Sequence, residues 1–250
     1  MTSQRLFAAV FALATLTQPL SAQYESDSLV VHGMAWGRET FLLSEVLELA
    51  AADAERLVLF DLLAWTGGPI RRLWFKADGN VATVGRAAHH GEYQVLYGRL
   101  VSPFWDAQVG LRFDLRSTTA AFRSRGGVVV GLQGLAPGSF ELEPSLYVGT
   151  DGNVSLDLTG SYDLYVAQRL VLQPRLEASA ALRDAPKFGI GAGISSATLG
   201  VRARYEIRRE IAPYLGVLWE RGFGRTAELA RLAGSEPNTV ALVAGVRLWR

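Results

Sequence analysis

Residues 199–221 read LGVRARYEIRREIAPYLGVLWER, and through the middle of this stretch charge falls on every second position. Arg202, Arg204, Glu206 and Arg208 alternate with Val201, Ala203, Tyr205 and Ile207. A helix would smear these charges around most of its circumference. A strand sends them all to one face and the apolar residues to the other. An apolar face one strand wide must lie against something apolar, either a protein core or the hydrocarbon of a bilayer.

The same alternation recurs along the chain. It predicts strands near 39–50, 56–66, 71–79, 92–102, 105–116, 125–135, 139–150, 153–165, 168–182, 195–209, 212–222 and 239–250. Most sort cleanly into two faces. Trp105, Ala107, Val109, Leu111, Phe113 and Leu115 oppose Asp106, Gln108, Gly110, Arg112, Asp114 and Arg116. Leu170, Leu172, Pro174 and Leu176 oppose Arg169, Val171, Gln173, Arg175 and Glu177. Val154, Leu156 and Leu158 oppose Ser155, Asp157 and Thr159, with Asp163 further along the polar side. Glu141 and Glu143 oppose Phe140, Leu142, Leu146 and Val148. The segments 56–66 and 92–102 carry apolar residues on both sides and sort poorly.

Period two also suits a soluble sandwich or a lipocalin. Two features favour a membrane. The segments exceed the five or six residues usual in soluble strands and reach the length that crosses a bilayer at a tilt. Every second link is tight, as in TGGPI, SPFW and APGS, whereas the alternate set includes the longer links 80–91, 117–124, 183–194 and 223–238. Short turns on one side and longer loops on the other are the habit of outer-membrane barrels. The expected fold is therefore all-β: a transmembrane antiparallel up-and-down β-barrel of about twelve strands, over residues 39–250. An even count puts both barrel ends in the periplasm and the 80–91 loop, with His89 and His90, outside the cell. Aromatics near strand ends (Trp36, Trp65, Trp74, Trp105, Tyr147, Tyr165, Tyr214, Trp219 and Trp249) suggest interfacial girdles, though core packing would use them as well.

The first residues, MTSQRLFAAVFALATLTQPLSAQ, set one Arg before an apolar run that ends in small residues, the pattern of a signal peptide spanning 1–22. Residues 23–38 then form a periplasmic leader. Loss of Arg5 turns 25 basic and 24 acidic residues into 24 of each, which gives no electrostatic case for nucleic acid. The chain has no cysteine and three histidines, which excludes disulfides, thiolate metal sites and Cys nucleophiles. No GxSxG, Walker loop or HExxH is present, and the glycines of GIGAGIS at 189–195 precede no helical pattern. The chain reads as a non-enzyme.

Arg or Lys at the bilayer midplane costs about 2–4 kcal/mol, so the charged faces are expected to point inward. Arg112, Arg175, Arg202, Arg204 and Arg208 can pair there with Asp114, Glu141, Glu143, Asp157, Asp163, Glu177 and Glu206. That lining could relay a cation, or it could be structural, as paired charges in a buried lining usually are.

The blocks RRLWFKADGNV, LYGRLVSPFWDAQVGLRFD, GLQGLAPGSFELEPSLYVG, YDLYVAQRLVLQPRLEASA and GVRARYEIRREIAPYLGVLWERGFGRTAELARLAG resemble the copper-resistance protein B family of Gram-negative bacteria. The likeness runs over about residues 39–250. It implies an outer-membrane barrel that takes part in copper resistance by copper ion binding, sequestration or efflux. Outer-membrane lipid, the barrel-assembly machinery and periplasmic copper proteins are the implied partners, and copper ion the implied metal. The family often carries a Met- and His-rich stretch before the barrel. Here the leader offers only His32 and Met34, spaced i, i+2 on one side of an extended chain, as a half-site for soft Cu(I). His89 and His90 are a second pair of candidate ligands, with solvated loop residues as the plainer reading, since a site needs three or four ligands. The family chain tends to end on an aromatic, whereas this one ends Leu248, Trp249, Arg250. Trp249 could stand in for that aromatic. Two alternatives remain open: a barrel that has lost copper binding and serves as a structural or narrow-pore protein, and a lipid-acting outer-membrane enzyme that uses the rim histidines.

Overall fold

A computed structural model describes residues 38–52, 55–84, 89–118 and 121–250. Its strands are β1 (Glu39–Ala52), β2 (Glu55–Gly67), β3 (Arg71–Val84), β4 (His89–Ser102), β5 (Trp105–Ser117), β6 (Phe122–Ala136), β7 (Phe140–Gly149), β8 (Val154–Ser161), β9 (Leu164–Ala167), β10 (Leu170–Ala181), β11 (Gly193–Tyr205), β12 (Ile211–Gly222) and β13 (Asn238–Trp249). Each pairs antiparallel with its neighbours, and β13 returns to β1, closing the sheet. The short β8 and β9 both pair with β10 and form one stave, so the barrel has twelve staves.

The outward faces are apolar. Leu49, Val95, Leu111, Val130, Leu146, Val201 and Leu242 are among many large hydrophobic side chains left exposed on the wall. Such a contiguous exposed band is foreign to a soluble monomer and fits a hydrocarbon surround. The inward faces carry the buried polar residues, among them Glu48, Asp114, Arg112, Arg125, Arg202 and Arg204. The lumen also holds dry clusters: Ala50, Ala241 and Val243 with Leu57 and Leu59, and Trp74, Leu96 and Val129 with Leu63 and Trp65. This explains why β2 sorts poorly as a sequence. Leu57, Leu59 and Leu63 face a filled interior, so both of its sides are apolar.

Several expectations need correction. Residues 80–91 do not form a long loop. Asn80 and Gly79 stay in the ladder opposite His90 and Gly91, and His90 N–H donates to the Asn80 side chain at 3.2 Å. Gly79 permits this close approach, since a Cβ there would lie 2.3 Å from the His90 carbonyl oxygen. The expected strand 153–165 breaks at Tyr162–Asp163. Tyr162 N–H donates to the Pro174 carbonyl at 3.1 Å, but Pro174 has no N–H to return, and the ladder lapses there. In β1 the pairing shifts between Ser44 and Val46, a bulge that inserts Glu45. The link 223–237 contains a helix, α1 (Gly224–Leu232), that alternation did not announce.

The aromatic girdle also needs revision. Trp105 and Trp219 lie on the outward faces of β5 and β12, but Trp74, Tyr147 and Tyr214 are buried inside. Phe41, Trp65 and Trp74 form a chain of ring contacts at 6.0 and 6.1 Å, and Trp249 joins Phe41 at 6.2 Å. Trp249 shares the inward face with Arg247 and donates its indole N–H to the Arg209 carbonyl, so it does not replace an outward terminal aromatic. Arg250 extends the ladder through paired backbone bonds with Leu42 at 2.8 Å.

Candidate functional site

Among the described residues, the interior gathers the paired charged side chains, and it does so in layers. Period two sends Arg112 and Asp114 of β5, Glu92 of β4 and Asp157 of β8 to the same height. Arg112 pairs with Glu92 at 2.6 Å and with Asp114 and Asp157 at 2.8 Å. Arg125 pairs with Asp114 at 2.6 Å, and the Tyr147 ring lies 4.6 Å from the Arg112 guanidinium and 5.2 Å from that of Arg125. Asp114 and Tyr147 are both 0% exposed, closed off by the side chains around them, whereas Asp157 keeps 26% of its side chain accessible.

Other pairs cross the lumen. Arg175 of β10 reaches Asp61 of β2 at 2.7 Å, nearly diametrically, and also holds Glu177 at 2.7 Å. Lys76 of β3 bonds Glu143 of β7 and, at 3.0 Å, Gln108 of β5. Arg202 of β11 forms a two-pronged pair with Glu48 of β1 at 2.8 and 2.9 Å. Gly245 lies directly across from Glu48, and a Cβ there would sit 2.6 Å from the Glu48 Cβ, so the missing side chain is what admits the carboxylate. Four carboxylates stand in register on successive strands: Asp61 opposite Asp78, Asp78 opposite Glu92, and Glu92 opposite Asp114. Asp61, Glu92 and Asp114 each hold a guanidinium, but Asp78 forms no ion pair among the described residues.

At the end bearing the longer links, residues 182–192 fold over the mouth. Phe188 is buried against the Arg125 guanidinium at 4.4 Å, and Arg116 donates to the Phe188 carbonyl. The Thr226 hydroxyl of α1 accepts from Gly191 N–H at 2.8 Å, tying the helix to this cap. At the tight-turn end the bulge residue Glu45 holds Arg247 at 2.7 Å and Gln173 at 2.9 Å. Arg204 bonds Asp163 at 2.7 Å, with Glu206 at 3.8 Å.

The model of the family described as "Copper resistance protein B precursor (CopB)" matches residues 38–250. The Copper resistance protein B of Escherichia coli is 37% identical over 208 residues, covering 83% of this chain and 68% of the relative. A Copper resistance protein B homolog of Pseudomonas syringae pv. tomato is 35% identical over 214 residues, covering 84% and 69%. This chain belongs to the copper resistance protein B family.

Among solved structures, the NanC porin superposes with a TM-score of 0.52 at 11% identity, over 84% of this chain and 99% of the porin. At that identity the likeness bears on the fold alone, an outer-membrane-type barrel. For the family member described here, the expected lining residues divide unequally. Arg112, Asp114, Glu143, Asp157, Asp163, Arg175, Glu177, Arg202, Arg204 and Glu206 face the interior contacts already given. Glu141 is exposed at the tight-turn end, where it accepts from Ser161 at 3.2 Å. Arg208 lies past the end of β11, exposed in the turn, and lines nothing. β11 stops at Tyr205 because the chain must reverse into β12, so the last charged residues of the stripe fall in a turn.

His89 and His90 occupy adjacent places on β4 rather than a loop, and so point to opposite faces. His89 Nδ1 accepts from Ala82 N–H at 3.1 Å, leaving that nitrogen unavailable to a metal or a nucleophile. His32 and Met34 lie outside the described residues. Among the described residues, no group of three or more His, Cys, Asp or Glu side chains is placed to hold a metal ion. Reading the sequence missed Glu45, Glu48, Asp61, Arg72, Lys76, Glu92, Arg125 and Arg247 as lining. Their inward position follows once each strand's phase is known, but strands apolar on both sides do not declare their phase.

Proposed function

We propose that this protein acts in the outer membrane as a copper-resistance barrel, with its N-terminus in the periplasm and copper handled outside the barrel lumen. Family membership supports the copper role. The observation that carries the mechanistic part is the lumen, which is crossed by ion pairs from β10 to β2 and from β3 to β7 and is dry at Asp114 and Tyr147. Apart from Asp78, the carboxylates described in this interior are held by guanidinium or ammonium groups, and the described lining offers no thioether or imidazole pair, the donors that copper prefers. The leader residues His32 and Met34 are the ligands we assign to copper, with sequestration at the periplasmic side as the mode.

Copper titration of the refolded protein, with and without residues 23–38, tests this. Saturable binding of Cu(I) or Cu(II) that disappears with the leader, or with His32→Ala and Met34→Ala together, is the expected result. No binding at micromolar copper, combined with unchanged copper tolerance of cells lacking the gene, would sink the copper reading. The second reading, a barrel that has lost copper binding and serves as a closed structural wall, draws support from the same filled lumen and would then stand.

A further inference from the structure

On the outward wall, near the tight-turn end, two arginines face each other. Arg71, the first residue of β3, lies directly opposite Arg99 of β4, and both are exposed. Period two places them on the face that carries the exposed Leu73, Phe75 and Val95. Leu100 N–H donates to the Ile70 carbonyl at 2.9 Å, so Ile70 and Leu100 are a hydrogen-bonded pair of the ladder. Arg71 and Arg99, one step along, are then a non-bonded pair, the kind whose Cα atoms approach to about 4.5 Å and whose side chains lie closest. Like charges directly opposite one another destabilise a sheet. Neither guanidinium has an ion pair or hydrogen bond among the described residues. The acid of this corner, Asp106, faces inward and is held by Arg72 at 2.9 Å.

The surroundings leave room for an anion and supply none. Across the ladder from Arg99 on its other side is Ala107. Beside Arg71 is Gly68, on which a Cβ would meet nothing within 4 Å. Toward the middle of the wall, Leu73, Phe75, Val95 and Val109 are exposed, and toward the turns so are Ile70, Val101 and Phe104. The two cations are therefore bracketed by apolar side chains rather than set in open water. Trp105, outward on β5 at the same end, marks the height at which a barrel wall passes from hydrocarbon to headgroups. Arginines at that height reach for headgroups with their charged ends while their stems stay on the apolar wall. A phosphate between two guanidinium groups takes charge-assisted bonds from each and cancels their repulsion. An amphiphile matches both parts of this surface, with its phosphate on the arginines and its acyl chains along Leu73, Phe75 and Val95.

We propose that Arg71 and Arg99 form a binding site on the outer wall for the phosphate of an anionic phospholipid, in the leaflet at the tight-turn end. The site rests on the barrel's lying in a membrane and is independent of copper.

The test is native mass spectrometry of the full refolded chain in neutral detergent, with phosphatidylglycerol or phosphatidylcholine added. Retention of phosphatidylglycerol in preference to phosphatidylcholine is expected. Arg99→Gln should weaken that retention roughly tenfold, equivalent to about 1.4 kcal/mol. Arg71→Gln with Arg99→Gln should abolish the preference, and Arg56→Gln, at an exposed arginine of the opposite end, should leave it unchanged. Urea unfolding separates a lipid site from a merely structural one. In neutral detergent alone the two cations only repel, so Arg99→Gln should raise the unfolding midpoint above that of the parent, and with phosphatidylglycerol present it should lower it. Equal retention of the two lipids by the parent overturns the proposal, as does a midpoint shift of the same sign with and without phosphatidylglycerol. So does a preference that survives the double substitution in protein shown to be folded by its resistance to unfolding in SDS. Displacement of the lipid by excess glycerol phosphate would assign the arginines to a soluble phosphate and overturn the lipid assignment.

Discussion

The two-pronged pair between Arg202 and Glu48 gives a sharp test of whether the lumen is dry. Both side chains are nearly inaccessible, at 6% and 0%, and the two contacts measure 2.8 and 2.9 Å. Arg202 also lies 5.9 Å from the Tyr214 ring, whose face adds to the guanidinium's surroundings. Arg202→Met removes the cation, leaves the Glu48 carboxylate buried and roughly preserves volume. Breaking a buried pair this way costs about 3–5 kcal/mol, because the surviving charge has neither water nor a partner. The double variant Glu48→Leu with Arg202→Met removes both charges and should return to within about 1 kcal/mol of the parent, or exceed it. The assay is urea unfolding of the refolded barrel in detergent, followed by tryptophan fluorescence, on the parent, both single variants and the double. A coupling energy on the order of 3 kcal/mol is expected for residues in direct contact. If Arg202→Met costs less than about 1 kcal/mol, the value of a solvent-exposed pair, water reaches Glu48 and the lumen is open at that height. The lumen would then be open to water, and its carboxylates would be within reach of a cation.

Other outcomes follow from the same geometry. Leu111, exposed at the middle of β5, should tolerate Val but lose about 2–4 kcal/mol as Leu111→Arg, read by the same unfolding assay; a loss near zero would mean that this face does not meet hydrocarbon. Asp78 stands between Asp61 and Glu92 with no ion pair among the described residues, so Asp78→Asn should raise stability by on the order of 1 kcal/mol, and a decrease would show that Asp78 serves a structural bond. Phe188→Ala should loosen the cap on Arg125 and raise conductance in planar bilayers; unchanged conductance would place the seal deeper, at Arg112 and Tyr147.

How much of this was legible in the sequence depends on what alternation can encode. Period two revealed the strands, their number and, wherever one face is uniformly polar, their phase, as in Trp105–Ser117 and Leu170–Ala181. It could not reveal the bulge at Glu45, because an inserted residue looks like any other until its neighbours are paired. Nor could it place Asp61 or Glu92, since β2 and β4 set apolar residues on both sides. Trp65, Trp74 and Trp249 were legible as aromatics near strand ends but not as inward ones. A filled lumen needs large rings as a membrane interface does, and composition alone cannot separate the two uses.

The charged stripe of β11 shows why both levels of coding are needed. A slip of one residue against β10 or β12 would turn Arg202 and Arg204 toward lipid, at a cost that reaches about 2–4 kcal/mol for an arginine at the midplane and falls toward the interface where Arg204 lies. Alternation therefore excludes odd slips. A slip of two keeps every face correct and would pass unnoticed by hydrophobicity, yet it moves Arg202 away from Glu48 and Arg204 away from Asp163. Glu48 would then be buried opposite Gly245 without a cation, at about 3–5 kcal/mol. The cross-lumen pairs thus supply the half of the register that the apolar pattern leaves open. In this barrel the luminal charges are explained by folding before any transport role is asked of them. Asp78 is an exception, since it stands among carboxylates without an ion pair among the described residues and adds nothing to the register.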